Sequence, residues 1–272
     1  MSNSMFRIPS ILLLVALSLF AFAGAVSANT FVEFEGYDYL TAADNPSLNP
    51  TGAITIETWC LIPMPFNDTG NCPVVEKPYY QHSHPWYQYH LGMNTGTKEF
   101  LFDLSLDGTR TLLRSPLHAF PFGEWFHVAA TYDGSMMRLF IDGVEVSSRP
   151  ASGSISIYER DVYIGRFGNF LYGFVGMLDD MRLWNTARTP EQILDGMCLP
   201  PDGDETGLMA AWDFDEGSGL VATDRSSNQN DAVFGAEGYG PDWVDGEIPD
   251  CADLDLEVVI DVKPGSDDNP VG

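Results

Sequence analysis

Gly173-Phe174-Val175-Gly176-Met177-Leu178-Asp179-Asp180-Met181-Arg182-Leu183-Trp184 decides how the rest of the chain reads. Taken as one strand, its side chains alternate between two faces. Val175, Met177, Met181 and Leu183 then share a face, with Asp179 as the polar exception on that side. The two early glycines mark a bulge or a close backbone approach. Five residues on, Thr189-Pro190-Glu191-Gln192-Ile193 places a capping hydroxyl before a proline at the first helical position, which predicts one short helix over Pro190–Asp195.

Working outward, the preceding chain is a series of short alternating runs: 31–36, 53–59, 73–77, 87–93, 99–106, 110–114, 124–132, 136–141, 144–146 and 162–165. Asp107-Gly108, Asp133-Gly134 and Asp142-Gly143 lie between such runs, and Asp-Gly between alternating segments is a hairpin signal. The pattern predicts an all-β chain: an antiparallel two-sheet sandwich with one short helix. After the helix, Gly207–Gly219 contains Leu208-Met209-Ala210-Ala211-Trp212, which reads as a closing strand.

Trp125-Phe126-His127-Val128-Ala129-Ala130-Thr131-Tyr132-Asp133-Gly134, then Leu139-Phe140-Ile141-Asp142-Gly143, and the Asp179–Trp184 strand before a capped helix together resemble the laminin-G-like jelly rolls. These belong to the concanavalin A-like lectin and glucanase group, with pentraxins as distant kin. Trp212-Asp213-Phe214-Asp215-Glu216-Gly217 is similar to a run familiar in the same group. The resemblance covers about Phe31 to Trp243. It implies a jelly-roll sandwich and, by class, a binding module or an enzyme acting on polysaccharide.

The first 28 residues read as a secretory signal peptide: Arg7, an apolar run from Ile11 to Ala23, and small residues through Ala28. That run is too short to span a bilayer, and no second one follows. The expected layout is a signal at 1–28, a jelly roll at 29–251 and an acidic tail at 252–272. The chain is thus expected to be secreted, with no transmembrane anchor. Its net charge of −26, with 19 acids against only Arg225 and Lys263 from Pro200 onward, repels nucleic acid and anionic membranes. Four cysteines in an exported chain imply disulfides. Of the three pairings, the spacing favours Cys60–Cys72, across a turn-rich segment, and Cys198–Cys251.

Tyr79, Tyr80, Trp86 and Tyr87, with Tyr89, cluster around a proline. Such rings stack on the C–H faces of sugars, which makes this loop the candidate ligand-binding element. His82, His84 and His90 are possible metal ligands, the first two as a zinc pair, but their surroundings read as loop and no carboxylate is near in sequence. Asp253, Asp255 and Glu257 alternate but lie beyond the closing strand, so no carboxylate pair of glycosidase type is assigned and no catalytic residue is proposed. One structural Ca²⁺ is expected from the fold resemblance. Asp179, the Gly36 carbonyl, and Asp38 or Asp44 would be its ligands, since calcium takes several oxygens. The leading reading is a secreted, non-catalytic module that binds polysaccharide or an extracellular surface glycan. The alternatives are a glycoside hydrolase or lyase of the same fold, or an adhesive domain with a protein ligand.

Overall fold

The computed structural model describes residues 30–63, 71–80, 83–168, 173–246 and 248. The first half of the chain gives β1 (Thr30–Glu35), β2 (Leu40–Ala42), β3 (Ile54–Leu61), β4 (Asn71–Pro78), β5 (Tyr87–Asn94), β6 (Glu99–Leu106), β7 (Thr109–Arg114) and β8 (Trp125–Tyr132). The second gives β9 (Met136–Ile141), β10 (Val144–Pro150), β11 (Val162–Ile164), β12 (Val175–Trp184), helix α1 (Pro190–Gly196), β13 (Leu208–Trp212), β14 (Val221–Ala222), β15 (Ala232–Phe234) and β16 (Asp242–Asp245).

These strands form two eight-stranded sheets. Sheet A runs β10-β9-β8-β3-β12-β1-β16, with β13 also on β12, and sheet B runs β14-β15-β2-β11-β4-β5-β6-β7. Cross-strand partners point the same way, so each register row belongs to one face. Leu183, Ile56, Ala130 and Leu139 make a core row of sheet A. Ile164, Val75, Leu91, Phe102 and Leu113 make the matching row of sheet B. The two rows meet in one hydrophobic core, the arrangement of a sandwich. Asp107-Gly108 and Asp142-Gly143 each hold both residues at positive φ, the two-residue turn that suits strand twist. Thr189 caps α1 with a full capping box: its hydroxyl accepts from the Gln192 amide, and the Gln192 side chain accepts from the Thr189 amide.

Strand β12 departs from a single alternation. Asp179 stands opposite Trp59 and Arg182 opposite Glu57, so the β12 side has one residue more than the β3 side. Asp180 takes the left-handed conformation, φ +49°, which Asp tolerates better than most residues. The phase therefore flips. Leu178 faces the core before the bulge and Met181 and Leu183 after it, while Val175 and Met177 are only half-buried. The expectation that Val175, Met177, Asp179, Met181 and Leu183 share one face is corrected accordingly. The bulge also divides the partners of β12. Its first half pairs with β1 and its second half with β13.

The expected Cys60–Cys72 disulfide is corrected as well. Both residues are buried, and both are thiols rather than a cystine. They do not staple adjacent strands, because β3 lies in sheet A and β4 in sheet B, so the connection between them crosses from one sheet to the other. The Cys72 thiol donates to the Gly173 carbonyl at 3.3 Å. Cys251, and with it the Cys198–Cys251 pairing, lies outside the described residues, as do the signal segment 1–28 and the tail 252–272. No described helix is long and apolar enough to cross a membrane.

Candidate functional site

The connection from β4 to β5 carries the aromatic cluster. Its neck is closed by the Tyr79 amide on the Trp86 carbonyl at 2.7 Å, and the Trp86 amide donates to the Ser83 carbonyl at 2.6 Å. Tyr80 projects from this loop and is 69% exposed, while Tyr79 and Trp86 are half-buried. Tyr87 points the other way. It is buried and stacks on His90 at 4.5 Å between ring centroids, with Phe167 at 6.1 Å. It therefore supports the loop and offers no open ring face. Tyr89 is a core residue.

The segment between β10 and β11 completes this rim. Tyr158 packs edge-on to Tyr79 at 4.7 Å, its hydroxyl meets Ser105 at 2.8 Å, and its amide donates to the Gln88 side chain at 2.9 Å. The Arg160 guanidinium lies 5.2 Å from the Tyr80 ring centre, a cation–π contact that holds the ring outward. No sequence signal near Tyr80 points to Tyr158, Arg160 or Phe167.

Below the rim, Tyr163, Glu76, His90, Asp103 and Leu112 form one row on the outer face of sheet B. The alternation of β4 to β6 contains this row, but only the register assembles it. Glu76, His90 and Asp103 are each no more than 1% exposed. Asp103 receives both Arg110 nitrogens, Nε and Nη2, at 2.7 Å, a bidentate pair. Burial pushes its carboxyl above the ordinary range, and Arg110 opposes this. Glu76 accepts the Gly168 amide at 2.6 Å on Oε1, while its Oε2 has no hydrogen-bond partner. Burial pushes its pKa up to about 8, against the smaller pull of the Gly168 bond. Burial, aided by Arg110, lowers His90 to about 3, so the imidazole is neutral. Two carboxyls on β4 and β6, one strand apart, sit roughly 10 Å from each other by strand spacing. That is wider than a retaining glycosidase pair, and both are covered. The row is a closed polar layer under the rim.

The expected calcium ligands do not converge. The Asp44 carboxylate takes Lys77 Nζ at 2.5 Å, and Asp38 accepts the Glu35 amide at 2.6 Å. The Gly36 carbonyl presses on Gly173, where a Cβ would lie 2.0 Å from it. In register, Asp179 falls next to Phe31, five residues from Gly36 and roughly 17 Å away along the strand. It turns outward beside Asp180 and accepts that residue's amide at 2.9 Å. Burial and neighbouring acids raise its pKa to about 9. The four residues thus do not fit one ion, and among the described residues no three of His, Cys, Asp or Glu are grouped for a metal. His82 lies outside the described residues.

Comparison with known proteins follows this geometry. Pappalysin-1 of Mus musculus is 29% identical over 115 residues, 40% of this chain and 7% of that protein. The sushi, von Willebrand factor type A, EGF and pentraxin domain-containing protein 1 of Rattus norvegicus is 29% identical over 119 residues, 39% of this chain and 3% of that protein. The chain therefore spans only a small part of the length of these relatives. A candidate carbohydrate-binding protein from Bacteroides ovatus ATCC 8483 superposes with a TM-score of 0.64 at 16% identity, over 82% of this chain and 61% of that one, which is a likeness of fold. The family profile of the concanavalin A-like lectin/glucanases superfamily, in its laminin-G form, matches residues 34–194, more than half of the sequence. The chain belongs to the laminin-G-like family of the concanavalin A-like lectin/glucanases superfamily.

Proposed function

We propose that this laminin-G-like binding domain is an exported, non-catalytic module that takes carbohydrate on the rim built by Tyr79, Tyr80, Trp86, Tyr158 and Arg160. The observation that carries the reading is Tyr80: a ring 69% exposed, held outward by Arg160, beside a second pair of packed rings. An exposed, braced aromatic face is what the C–H side of a pyranose stacks on, and its low side-chain entropy favours binding. Export is supported by the leader-like sequence of residues 1–28. The carbohydrate reading also agrees with the description of the Bacteroides ovatus protein that shares the fold.

The test is affinity electrophoresis and calorimetry against a polysaccharide panel, run beside a reducing-end assay for cleavage. Tyr80→Ala is expected to weaken binding of the retained glycan about fivefold or more, from loss of one stacked ring worth on the order of 1 kcal/mol. Retention unchanged in both Tyr80→Ala and Trp86→Ala would remove the rim from the site. Release of reducing ends by the wild type would replace the binding reading with the hydrolytic one.

A further inference from the structure

The outer-face row of sheet B continues past Tyr163 in the other direction, to Thr41, Val233 and Val221. From Glu76 to His90 the row is roofed, because Gly168 bonds Glu76 and Phe167 stacks on His90 at 5.8 Å. Past Tyr163 the cover ends: Tyr163 and Thr41 are half-buried, and Val233 and Val221 are exposed. Phe167-Gly168 is thus one wall of a groove whose floor is β11 and β2.

An arginine meets a tyrosine at each end of β11. Before the strand, Arg160 lies on Tyr80 of the rim. After it, the Arg166 guanidinium lies 3.6 Å from the centre of the Tyr39 ring and 5.7 Å from that of Tyr239, and its Nη1 donates to the Tyr37 carbonyl at 3.0 Å. The pairing explains the placement. Both β2 and β4 run antiparallel to β11, so the end of β4 shares one end of the face with Arg160, and Tyr39 shares the other with Arg166. Tyr39 is two positions from Thr41 and therefore on the same face. Gly235, beside it, carries no side chain; a Cβ there would lie 2.4 Å from the Tyr39 ring, so glycine lets that ring lie across β15. The Tyr39 amide donates to the Tyr239 carbonyl at 3.0 Å, and the Gly235 amide to the Tyr39 carbonyl at 2.8 Å, which fixes the turn. Tyr239 is 48% and Tyr37 69% exposed, so this end, like the rim, offers open rings. Arg160 and Arg166 are six positions apart, which puts the two ends up to roughly 20 Å from each other.

Charge sets the class of ligand. Both guanidinium groups lie on ring faces, while Glu159, Asp161 and Glu237 at the two ends are exposed. An anionic glycan would be repelled at both ends of a −26 chain. A neutral glycan meets rings for its C–H faces and carboxylates that accept from its hydroxyls.

We infer that the aromatic rim is one end of a longer site, and that the groove along β11 takes a linear, neutral polysaccharide chain with Tyr80 at one end and Tyr239 at the other. The inference rests on the rim reading and adds the length and charge class of the glycan. One chain spanning both ends gains from each, since the second contact is intramolecular.

The experiment is calorimetry on the whole protein with cellohexaose, xylohexaose and laminarihexaose, the disaccharide of each, and a hexamer of galacturonate. At least one neutral hexaose is expected to bind tenfold or more tighter than its disaccharide, and the galacturonate hexamer not to bind. Tyr239→Ala is expected to weaken that hexaose about fivefold and to leave the disaccharide unchanged, whereas Tyr80→Ala weakens both. Tyr37→Ala, at the other exposed ring of the far end, gives a second reading should Tyr239→Ala not fold. Equal affinity for hexaose and disaccharide, or hexaose affinity unchanged in both far-end variants, would overturn the inference; if Tyr80→Ala still weakens binding, the rim reading stands without it. Tighter binding of the galacturonate hexamer overturns the neutral class. Binding of none of the neutral hexaoses overturns the groove outright.

Discussion

Replacing Glu76 with Gln should flatten the dependence of stability on pH above neutrality. Glu76 is fully buried, and its carboxyl is raised from 4.5 to about 8 in the folded protein. Between those values the unfolded chain has lost the proton and the folded chain keeps it. Stability from this group is therefore complete below about pH 4.5 and falls as pH rises through 8. The whole span is worth about 5 kcal/mol, at 1.36 kcal/mol per unit. From pH 6.5 to 8 the loss is about 1.5 kcal/mol. This window avoids most of the opposite contribution of His90 and His127, both lowered to about 3, whose neutral folded forms add stability as pH rises toward 6.5. Gln keeps an oxygen for the Gly168 amide and carries no charge, so it mimics the protonated acid. Urea unfolding of both proteins at pH 6.5 and pH 8 isolates the group, since all other titrations, including the self-repulsion of a −26 chain, cancel in the difference. Wild type should lose about 1.5 kcal/mol more than Glu76→Gln over that interval. Equal losses would refute the argument that Glu76 stays protonated under the rim.

Three further outcomes follow from the packing. At Gly165, φ is +82° and an added Cβ would lie 2.2 Å from Phe34 Cε1, so Gly165→Ala should destabilise by roughly 2 kcal/mol or more, read as a lowered urea midpoint; a midpoint like wild type contradicts the close approach. Thr189→Ala removes the capping box of α1 and should cost about 1 kcal/mol in the same assay, whereas Thr189→Ser should cost much less. The Cys60 thiol is buried and pushed well above its ordinary pKa by burial and by Cys72, so a disulfide-exchange reagent should label Cys60 and Cys72 only after unfolding; labelling of neither in denaturant means that the two are bridged.

The parts of the fold that rest on local chemistry were legible in the sequence. Asp107-Gly108 and Asp142-Gly143 announce their hairpins because few other residues accept two successive positive φ angles. Thr189 and Pro190 announce α1 for a similar reason. The phase of β12 was not legible, because a single left-handed residue, Asp180, inverts every side chain after it while the letters still look alternating. The picture of Cys60–Cys72 as a staple between adjacent strands failed on topology: proximity in sequence gives no information on whether a connection turns within a sheet or crosses to the other, and here the two thiols belong to facing sheets of one core. Of the candidate rim, Tyr80 was visible as part of an aromatic cluster. Arg160, which contacts it, and Tyr158, which packs on Tyr79, arrive from a distant segment. Tyr87 is covered by its stack on His90, to which Phe167, distant in sequence, adds a further ring.

The antiparallel match of β1 with β16 sets Thr30 opposite Asp245. The two ends of the folded unit thus lie side by side at one sheet edge, on the sheet opposite to the aromatic rim. A unit whose entrance and exit coincide can be spliced into a surface loop of a host protein as readily as it can be strung between neighbours, since insertion requires the host to separate its own loop ends by only one strand spacing, about 5 Å. Such a graft must carry both β1 and β13 to β16. The segment 34–194 alone would leave the second half of β12 without its β13 partner and the β1 edge without β16.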